Sequence, residues 1–383
     1  MSLLGRPLLV LLGACTVAFP LSLLLLWPRL RHPVLGRVGR LALVVGSQLS
    51  AVLLVAAMLN DYGYFFGSWS DLFQGAAQAA AITPAGSVGN QRVAWLPGRP
   101  PGSVTGVRSM PAYRNPAVWR ARGRLEVAWV QGGSSGLGEK AYIYLPSAYF
   151  THPHRHFATV LDLTGYPGVG IQQTVRLKYP TVLRTDILQH TARPMILVMM
   201  RPAVTFPRDT ECTDVPGGPQ ALTFFSQDVP AAVDASYRTR PDAWGAAGDS
   251  TGGYCAAKLA MTTPGRFRAA VSFSGYFTAL HDNTTGSLWG GSRTLRDLNN
   301  LDWRLQHQPA PDVALLVMTS KGEYGPYGHR NSEHFLSLVK PPMTADSIIE
   351  PHGGHTFSTW RPVIPEALGW LSRHLYQAGG AAL

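Results

Sequence analysis

The sequence predicts an α/β domain with a mostly parallel, doubly wound sheet, preceded by two transmembrane helices. Two observations carry this prediction. Two long uncharged runs lie near the start of the 383-residue chain, and short apolar runs alternate with helical stretches from residue 157 onward. Strands that are apolar on both faces are typical of a parallel sheet covered by helices. The pattern divides the chain into a membrane anchor (1–70), a linker (71–120) and a globular domain (121–378).

The predicted membrane helices occupy residues 7–27 and 41–59. Each run has about the 20 residues that a helix needs to cross a bilayer. The loop between them carries four arginines and no acid, and the positive-inside rule places such a loop in the cytoplasm. We therefore expect the chain after residue 60 to face outward. An alternative for residues 12–15 is a lipoprotein signal with a lipidated Cys15, although an apolar sequence follows Cys15 where a polar tether is usual.

The linker is rich in Ala, Gly, Pro and Ser and shows no period. Beyond it, a glycine-rich turn, GGSSGLG, separates two predicted strands. A strand rather than a helix follows this turn, which favours a hairpin over a phosphate-binding loop. The predicted strands are 125–130, 140–146, 157–163, 195–200, 243–247, 269–273 and 314–319, and the predicted helices are 227–237, 253–261 and 362–376.

The clearest chemical signal is the run Gly248-Asp249-Ser250-Thr251-Gly252, placed between a predicted strand and a helix of small residues. A serine on a tight strand-to-helix turn needs small neighbours two residues away, and such a turn exposes the hydroxyl at the sheet edge. We predict Ser250 to be a nucleophile. The alternative is an ordinary glycine turn.

A serine nucleophile needs a general base, and on this kind of turn the chain order is serine, acid, histidine. His355 follows two glycines after the last predicted strand, and we predict it to be the base. His352 is the second candidate. His329 and His334 lie in a polar stretch that is more typical of solvated loop histidines.

The acid of such a triad orients the histidine and stabilises its charged form. Glu323 lies just past the strand 314–319 and is the predicted acid. The alternative is a surface glutamate paired with Lys321 or Arg330. Asp346 and Glu350 are weaker candidates because both lie on the predicted final strand.

The charge that develops on the substrate carbonyl oxygen requires two N–H donors, which form an oxyanion hole. Thr251 directly follows the nucleophile and should supply one backbone N–H. The second should follow the strand 157–163, where either Gly165 or Tyr166 is the candidate. Pro167 has no N–H and is excluded.

Residues 125–375 resemble the putative-esterase branch of the α/β hydrolases, which includes esterase-D-type S-formylglutathione hydrolases and secreted mycolyltransferases. They are also similar to membrane-tethered esterase-like proteins of actinobacteria. The resembling stretches are 143–146, 160–168, 227–237, 248–260, 267–277 and 353–371. The resemblance implies an α/β-hydrolase fold and an acyl-enzyme on Ser250, assisted by His355 and Glu323. Many of these esterases have His-Gly where this chain has Thr164-Gly165, which leaves the substrate preference open.

The cysteines bear on the compartment. Cys15 lies in a predicted membrane helix, which leaves Cys212 and Cys255 in the domain expected outside the cell. An oxidising compartment permits a disulfide between them. Two unpaired buried cysteines are the alternative.

The leading functional hypothesis is a membrane-anchored serine esterase acting on a carboxylic ester, with a lipid or other cell-envelope acyl ester as the substrate class. One alternative is an acyltransferase, similar to the mycolyltransferases, that moves the acyl group to an envelope sugar or lipid. Another is a non-catalytic envelope-binding or scaffold protein on a hydrolase fold. The histidines lack metal-ligand spacing and no dinucleotide glycine motif occurs, so we expect no metal and no cofactor. Nucleic acid is not an expected partner, because five of the 11 excess positive charges lie in residues 1–60.

Overall fold

A computed structural model describes residues 6–30, 32–63, 100–323, 325 and 328–377. The chain divides into two compact units, Met1–Ile82 and Thr83–Leu383. Residues 64–99, which hold the end of the predicted anchor and much of the predicted linker, lie outside the described residues, as does residue 378.

The first unit consists of helices α1 (Arg6–Leu26) and α2 (Leu35–Gly63). Both are long and apolar enough to cross a membrane, with mean hydropathies of 2.5 and 2.2. They approach closely where Gly46 meets the ring of Phe19, since an added Cβ would lie 2.8 Å from Cε1 of that ring. Helix α2 begins six residues before the predicted start and includes the last two arginines of the loop, because arginine is a good helix former. One of them, Arg40, packs over the ring of Trp27 and donates to its backbone carbonyl at 3.2 Å.

The second unit is built on a nine-stranded sheet, counted over the described residues, with the order β1-β2-β3-β5-β4-β6-β7-β8-β9. Strands β1, β2, β3 and β5 pair antiparallel, and the pairs from β5 through β4 to β9 are parallel. The strands are β1 (Ser103–Ser109), β2 (Arg124–Gln131), β3 (Gly138–Leu145), β4 (Phe157–Leu163), β5 (Met195–Met200), β6 (Thr239–Asp249), β7 (Phe267–Phe273), β8 (Ala314–Ser320) and β9 (Thr344–Glu350).

Helices cover both faces of this sheet. They are α3 (Trp119–Arg122), α4 (Ala148–Thr151), α5 (Ile171–Val175), α6 (Tyr179–Leu188), α7 (Ala221–Thr223), α8 (Val229–Ser236), α9 (Thr251–Thr262), α10 (Arg293–Leu298), α11 (Leu301–His307), α12 (His329–Leu338), α13 (Phe357–Trp360) and α14 (Ile364–Gln377). A π-helical turn, Phe224–Asp228, connects α7 to α8.

Two hydrophobic cores lie on opposite faces of the sheet, and the central strands contribute to both. On β8, Leu315 and Val317 belong to one core, while Leu316 and Met318 belong to the other. Alternation with a period of two sends successive side chains to opposite faces, so a strand buried on both faces has a continuous apolar sequence. This arrangement confirms the predicted doubly wound α/β fold.

Strand β1 is the main difference from the sequence prediction, which assigned its residues to the linker. It lies at the edge of the sheet, pairs only with β2, and contains an irregularity between Thr105 and Arg108. Gly106 adopts a positive φ of 62° there. A short, mostly polar edge strand with a bulge lacks the apolar alternation by which strands are recognised in a sequence.

Candidate active site

Ser250 occupies a strained turn between β6 and α9. Its φ of 55° and ψ of −122° lie outside the regions that side-chain-bearing residues favour. Its N–H donates to the carbonyl of Phe273 at 2.9 Å. Two glycines make the turn possible: an added Cβ would lie 2.4 Å from backbone atoms of Gly252 if placed on Gly248, and 1.9 Å from the carbonyl oxygen of Leu163 if placed on Gly252. This is the geometry of a nucleophile elbow.

The loop after β4 lies directly against this serine. An added Cβ on Gly165 would lie 2.9 Å from Cβ of Ser250, so position 165 must be glycine for the loop to come this close. The N–H of Gly165 donates to Oδ2 of Asp249 at 2.9 Å. That bond engages Gly165, so of the two predicted donors on this loop the structure favours Tyr166 and not Gly165.

Two buried carboxyl groups lie beneath the elbow. The Gln173 amide donates to Oδ1 of Asp162 at 3.0 Å and to Oδ1 of Asp249 at 2.9 Å. Burial raises the pKa of Asp249 to about 6. Burial and the neighbouring Asp249 raise the pKa of Asp162 well above its usual range. Asp249 therefore supports the loop after β4. The sequence does not indicate this role, because any residue can occupy the position directly before the serine in the motif.

Glu323 follows β8 and its side chain is buried. Its Oε1 lies 3.5 Å from Nδ1 of His355, and its Oε2 lies 3.4 Å from the N–H of Ser320. Burial by itself would raise the pKa of Glu323, but its interactions with the His355 and Ser274 side chains outweigh burial and hold the pKa below its usual value. The buried Glu323 therefore differs from the surface glutamate of the alternative interpretation, because its carboxyl group lies beside the His355 imidazole.

His355 lies on a loop that is fixed from several sides. Gly353 has a φ of 112°, and its carbonyl accepts a hydrogen bond from the Ser320 hydroxyl at 3.1 Å. The imidazole packs edge-on against Trp360, with ring centroids 5.0 Å apart. Trp360 in turn donates from Nε1 to Oγ of Ser274 at 2.7 Å. The side chain of His355 is 36% exposed, so the ring is oriented by the protein and remains accessible from solvent.

Of the other histidines of the sequence analysis, His329 lines a cavity together with Glu323. His352 is exposed. His329 faces its helix neighbour Glu333, with Nε2 and Oε1 3.1 Å apart, and Nε2 of His334 lies 4.0 Å from Oδ2 of Asp302. Each of the last two therefore has a carboxylate other than Glu323 as its nearby partner.

The two weaker acid candidates lie on β9, as expected. Asp346 accepts a hydrogen bond at Oδ2 from Nε1 of Trp370 at 2.7 Å. Glu350 pairs through its backbone, whose carbonyl accepts from the N–H of Lys321 at 3.0 Å. Asp346 thus anchors α14 to the sheet, and Glu323 remains the acid beside His355.

A segment that we call the strap, residues 205–215, crosses near the elbow. A disulfide links Cys212 of the strap to Cys255 on α9, with a Cα–Cα separation of 5.6 Å. Asp209 of the strap accepts a hydrogen bond at Oδ2 from the hydroxyl of Thr251 at 3.1 Å. The sequence analysis identified the cysteines but not Asp209. Nothing in the sequence distinguishes Asp209 from an ordinary loop aspartate, which is usually exposed to solvent.

Within the described ranges, no group of three or more His, Cys, Asp or Glu side chains is placed to hold a metal ion. The groups that the described residues bring to the site are a serine, a histidine, a carboxylate and backbone N–H groups.

A family model described as putative esterase matches residues 134–371. An uncharacterized protein of Corynebacterium glutamicum, Cgl0967/cg1104, is 22% identical over 244 residues, covering 61% of this chain and 57% of its own length. The chain thus spans little more than half of that curated relative.

Solved structures show the same architecture. A ferulic acid esterase matches with a TM-score of 0.56 and 16% identity, covering 66% of this chain and 99% of its own. An S-formylglutathione hydrolase of Agrobacterium tumefaciens gives 0.57 and 13%, covering 71% and 99%. FphF, a fluorophosphonate-binding serine hydrolase of Staphylococcus aureus, gives 0.52 and 16%, covering 66% and 99%. At identities this low the structural similarity is evidence for the fold alone, and it confirms the predicted α/β-hydrolase fold.

Proposed function

The chain belongs to the putative esterase family of serine hydrolases, and on that premise we propose that it acts on carboxylic esters through a Ser250–His355–Glu323 triad. One observation carries the proposal: Ser250 occupies a strained turn, and in the same compact unit the buried Glu323 lies 3.5 Å from His355. A separation of 3.5 Å is long for a hydrogen bond, and such catalytic contacts commonly shorten when substrate binds.

In the proposed reaction, Oγ of Ser250 attacks the ester carbonyl while His355 accepts the hydroxyl proton. Glu323 faces Nδ1, so it holds the tautomer whose Nε2 accepts that proton and stabilises the imidazolium that results. The C–O bond then breaks, and the imidazolium gives its proton to the departing alcohol. This leaves an acyl group on Ser250, and a water molecule activated by His355 hydrolyses it.

The oxyanion formed in each half-reaction is proposed to bind the backbone N–H groups of Thr251 and Tyr166. Thr251 is the first residue of α9, where N–H groups lack partners within the helix and the helix dipole favours negative charge. The tight contact between Gly165 and Ser250 brings Tyr166 to the same place. Removing one such donor typically costs about a hundred- to a thousandfold in kcat.

We further propose that the catalytic unit faces the outside of the cell membrane. The arginines between α1 and α2 support a cytoplasmic loop, and the Cys212–Cys255 disulfide is compatible with an oxidising compartment. A tethered enzyme meets lipid and envelope esters at high effective concentration, which makes these the proposed substrates. Lipid and sugar alcohols at the same surface can compete with water for the acyl-enzyme, so acyl transfer is the second candidate function.

The test is intact-mass analysis of the full-length protein in detergent after treatment with a fluorophosphonate, beside Ser250→Ala. We expect a single adduct on the parent and none on the variant, because an activated serine displaces fluoride from phosphorus and Ser250→Ala lacks that hydroxyl. Turnover of p-nitrophenyl esters with and without an added alcohol acceptor then separates hydrolysis from transfer. A well-folded parent that forms no adduct would refute the triad and support a binding protein on a hydrolase fold.

A further inference from the structure

The strap contacts both residues that are proposed to form the oxyanion hole. On one side, the hydroxyl of Tyr166 donates to the carbonyl of Pro207 at 2.6 Å, and the Tyr166 and Phe206 rings lie 6.3 Å apart. On the other side, Oδ2 of Asp209 accepts a hydrogen bond from the Thr251 hydroxyl at 3.1 Å. Four consecutive residues therefore connect two loops that come from different strands of the sheet.

Asp209 is built into this position. It is only 3% exposed, and its two carboxylate oxygens have separate partners: Oδ1 accepts the N–H of Glu211 at 3.0 Å and Oδ2 accepts the hydroxyl of Thr251. Its own N–H donates to the carbonyl of Thr284 at 3.0 Å. The carboxyl group thus fixes its segment and the first side chain of α9 at once.

A second carboxyl group completes the network. Tyr276 contacts Oε1 of Glu211 at 2.8 Å and the Thr251 hydroxyl at 3.4 Å. Burial and the nearby Asp209 raise the pKa of Glu211 to about 8, and burial raises the pKa of Asp209 to about 6. The Tyr276 hydroxyl, which donates to Glu211, thus lies beside the Thr251 hydroxyl, which donates to Asp209.

The strap itself is held on both flanks. The disulfide fixes Cys212 to α9. The Arg208 guanidinium donates to the carbonyls of Thr285 and Ser287 at 2.9 Å and 2.7 Å. A segment with a covalent link and these side-chain bonds resists displacement, so it can impose a fixed distance on the residues it contacts.

We propose that Asp209 and the Tyr166 hydroxyl are positioning groups that set the spacing between the two oxyanion donors. The inference rests on the proposed function and extends it to residues that touch no reacting atom. The hydrogen bond from the Thr251 hydroxyl to Asp209 fixes the first residue of α9, whose backbone N–H is one of the two proposed oxyanion donors.

Two variants test the proposal in the full-length protein. Asp209→Asn keeps one acceptor oxygen, so it loses one of the two bonds, and Tyr166→Phe removes only the hydroxyl bound to Pro207. We expect kcat for a p-nitrophenyl ester to fall about ten- to a hundredfold in each, with KM changed less than about twofold. We expect kcat to change more than KM because the negative charge on the oxygen develops in the transition state and is absent from the bound ester.

Asp214→Asn is the matched control. Asp214 lies on the same strap and also accepts one backbone N–H and one threonine hydroxyl, both from Thr223, at 2.9 Å and 2.7 Å. Its kcat should match that of the parent. If Asp209→Asn does not fold, Tyr166→Phe decides by the same split of kcat and KM.

The outcomes separate this inference from the proposed function. A parent that forms no fluorophosphonate adduct overturns both. A labelled parent whose two variants keep the parental kcat, or change KM alone, overturns the positioning role and leaves the triad intact. A higher kcat in Asp209→Asn also overturns it, because removal of a negative charge near the oxyanion would then be the larger effect.

Discussion

The two halves of the candidate site are held in place in different ways. Ser250 is positioned by the backbone: a strained turn, with neighbouring positions where any Cβ would collide with the chain. Glu323 and His355 lie on loops and are positioned by side-chain contacts, and the His355 ring is 36% exposed. Both halves contain glycines that leave no room for a Cβ, since one on Gly322 would lie 2.0 Å from the carbonyl oxygen of Gly353, but only the histidine half should depend in addition on particular polar side chains.

A pair of glycine substitutions tests this contrast with the largest expected effect. On the serine side, a Cβ on Gly252 would lie 1.9 Å from the carbonyl oxygen of Leu163, whereas a Cβ on Gly354, next to His355, would meet nothing within 4 Å. We expect Gly252→Ala to abolish activity or folding and Gly354→Ala to keep both. Circular dichroism, thermal unfolding and ester turnover measure the two outcomes. A folded, active Gly252→Ala would show that the elbow is not held by sterics.

The polar half is tested by Glu323→Gln, which preserves shape and removes the charge. We expect kcat to fall on the order of 10³- to 10⁴-fold, because a neutral amide no longer selects the correct imidazole tautomer or stabilises the imidazolium. The exposed His352, on the same loop as His355, provides the control: His352→Ala should keep the parental kcat. A Glu323→Gln variant within tenfold of the parent would mean that another group orients His355.

The sequence was a good guide where one residue type satisfies one local requirement. The strand Phe157–Leu163 was predicted with its observed bounds because both of its faces are buried. Ser250 stands out because glycines must flank a nucleophile elbow. Glu323 and His355 follow from chain order in this fold, and the structure places them side by side.

The sequence could not show what side chains far apart along the chain decide. Whether Gly165 or Tyr166 serves as donor depends on a bond from Gly165 to Asp249, 84 positions away. Asp209 reaches Thr251 across 42 positions, and neither partner of that bond belongs to a pattern with a period. Strand β1 was missed because an edge strand of mixed polarity needs only one neighbour and no apolar face.

The smallest expected effect separates the two halves by pH. Burial raises the pKa of Asp249, beneath the serine, from 3.8 to about 6. A carboxyl group whose pKa is higher in the folded state stabilises the fold below its unfolded pKa, and this contribution is lost as pH rises through the folded pKa. A pKa difference of about 2 corresponds to about 3 kcal/mol. Ionisation of Asp249 should therefore lower the free energy of unfolding by up to that amount between about pH 4 and 6.

Asp249→Asn removes this loss, and the amide keeps an acceptor for the N–H of Gly165. Its free energy of unfolding relative to the parent, measured by urea denaturation, should therefore rise from pH 4 to pH 6. Glu323 has a lowered pKa, so its contribution is present above its unfolded pKa and is lost on acidification. The free energy of unfolding of Glu323→Gln, relative to that of the parent, should consequently rise as pH falls. The same slope for both variants would mean that the two carboxyl groups share one environment, contrary to the division between a buried elbow and a hydrogen-bonded acid–base pair.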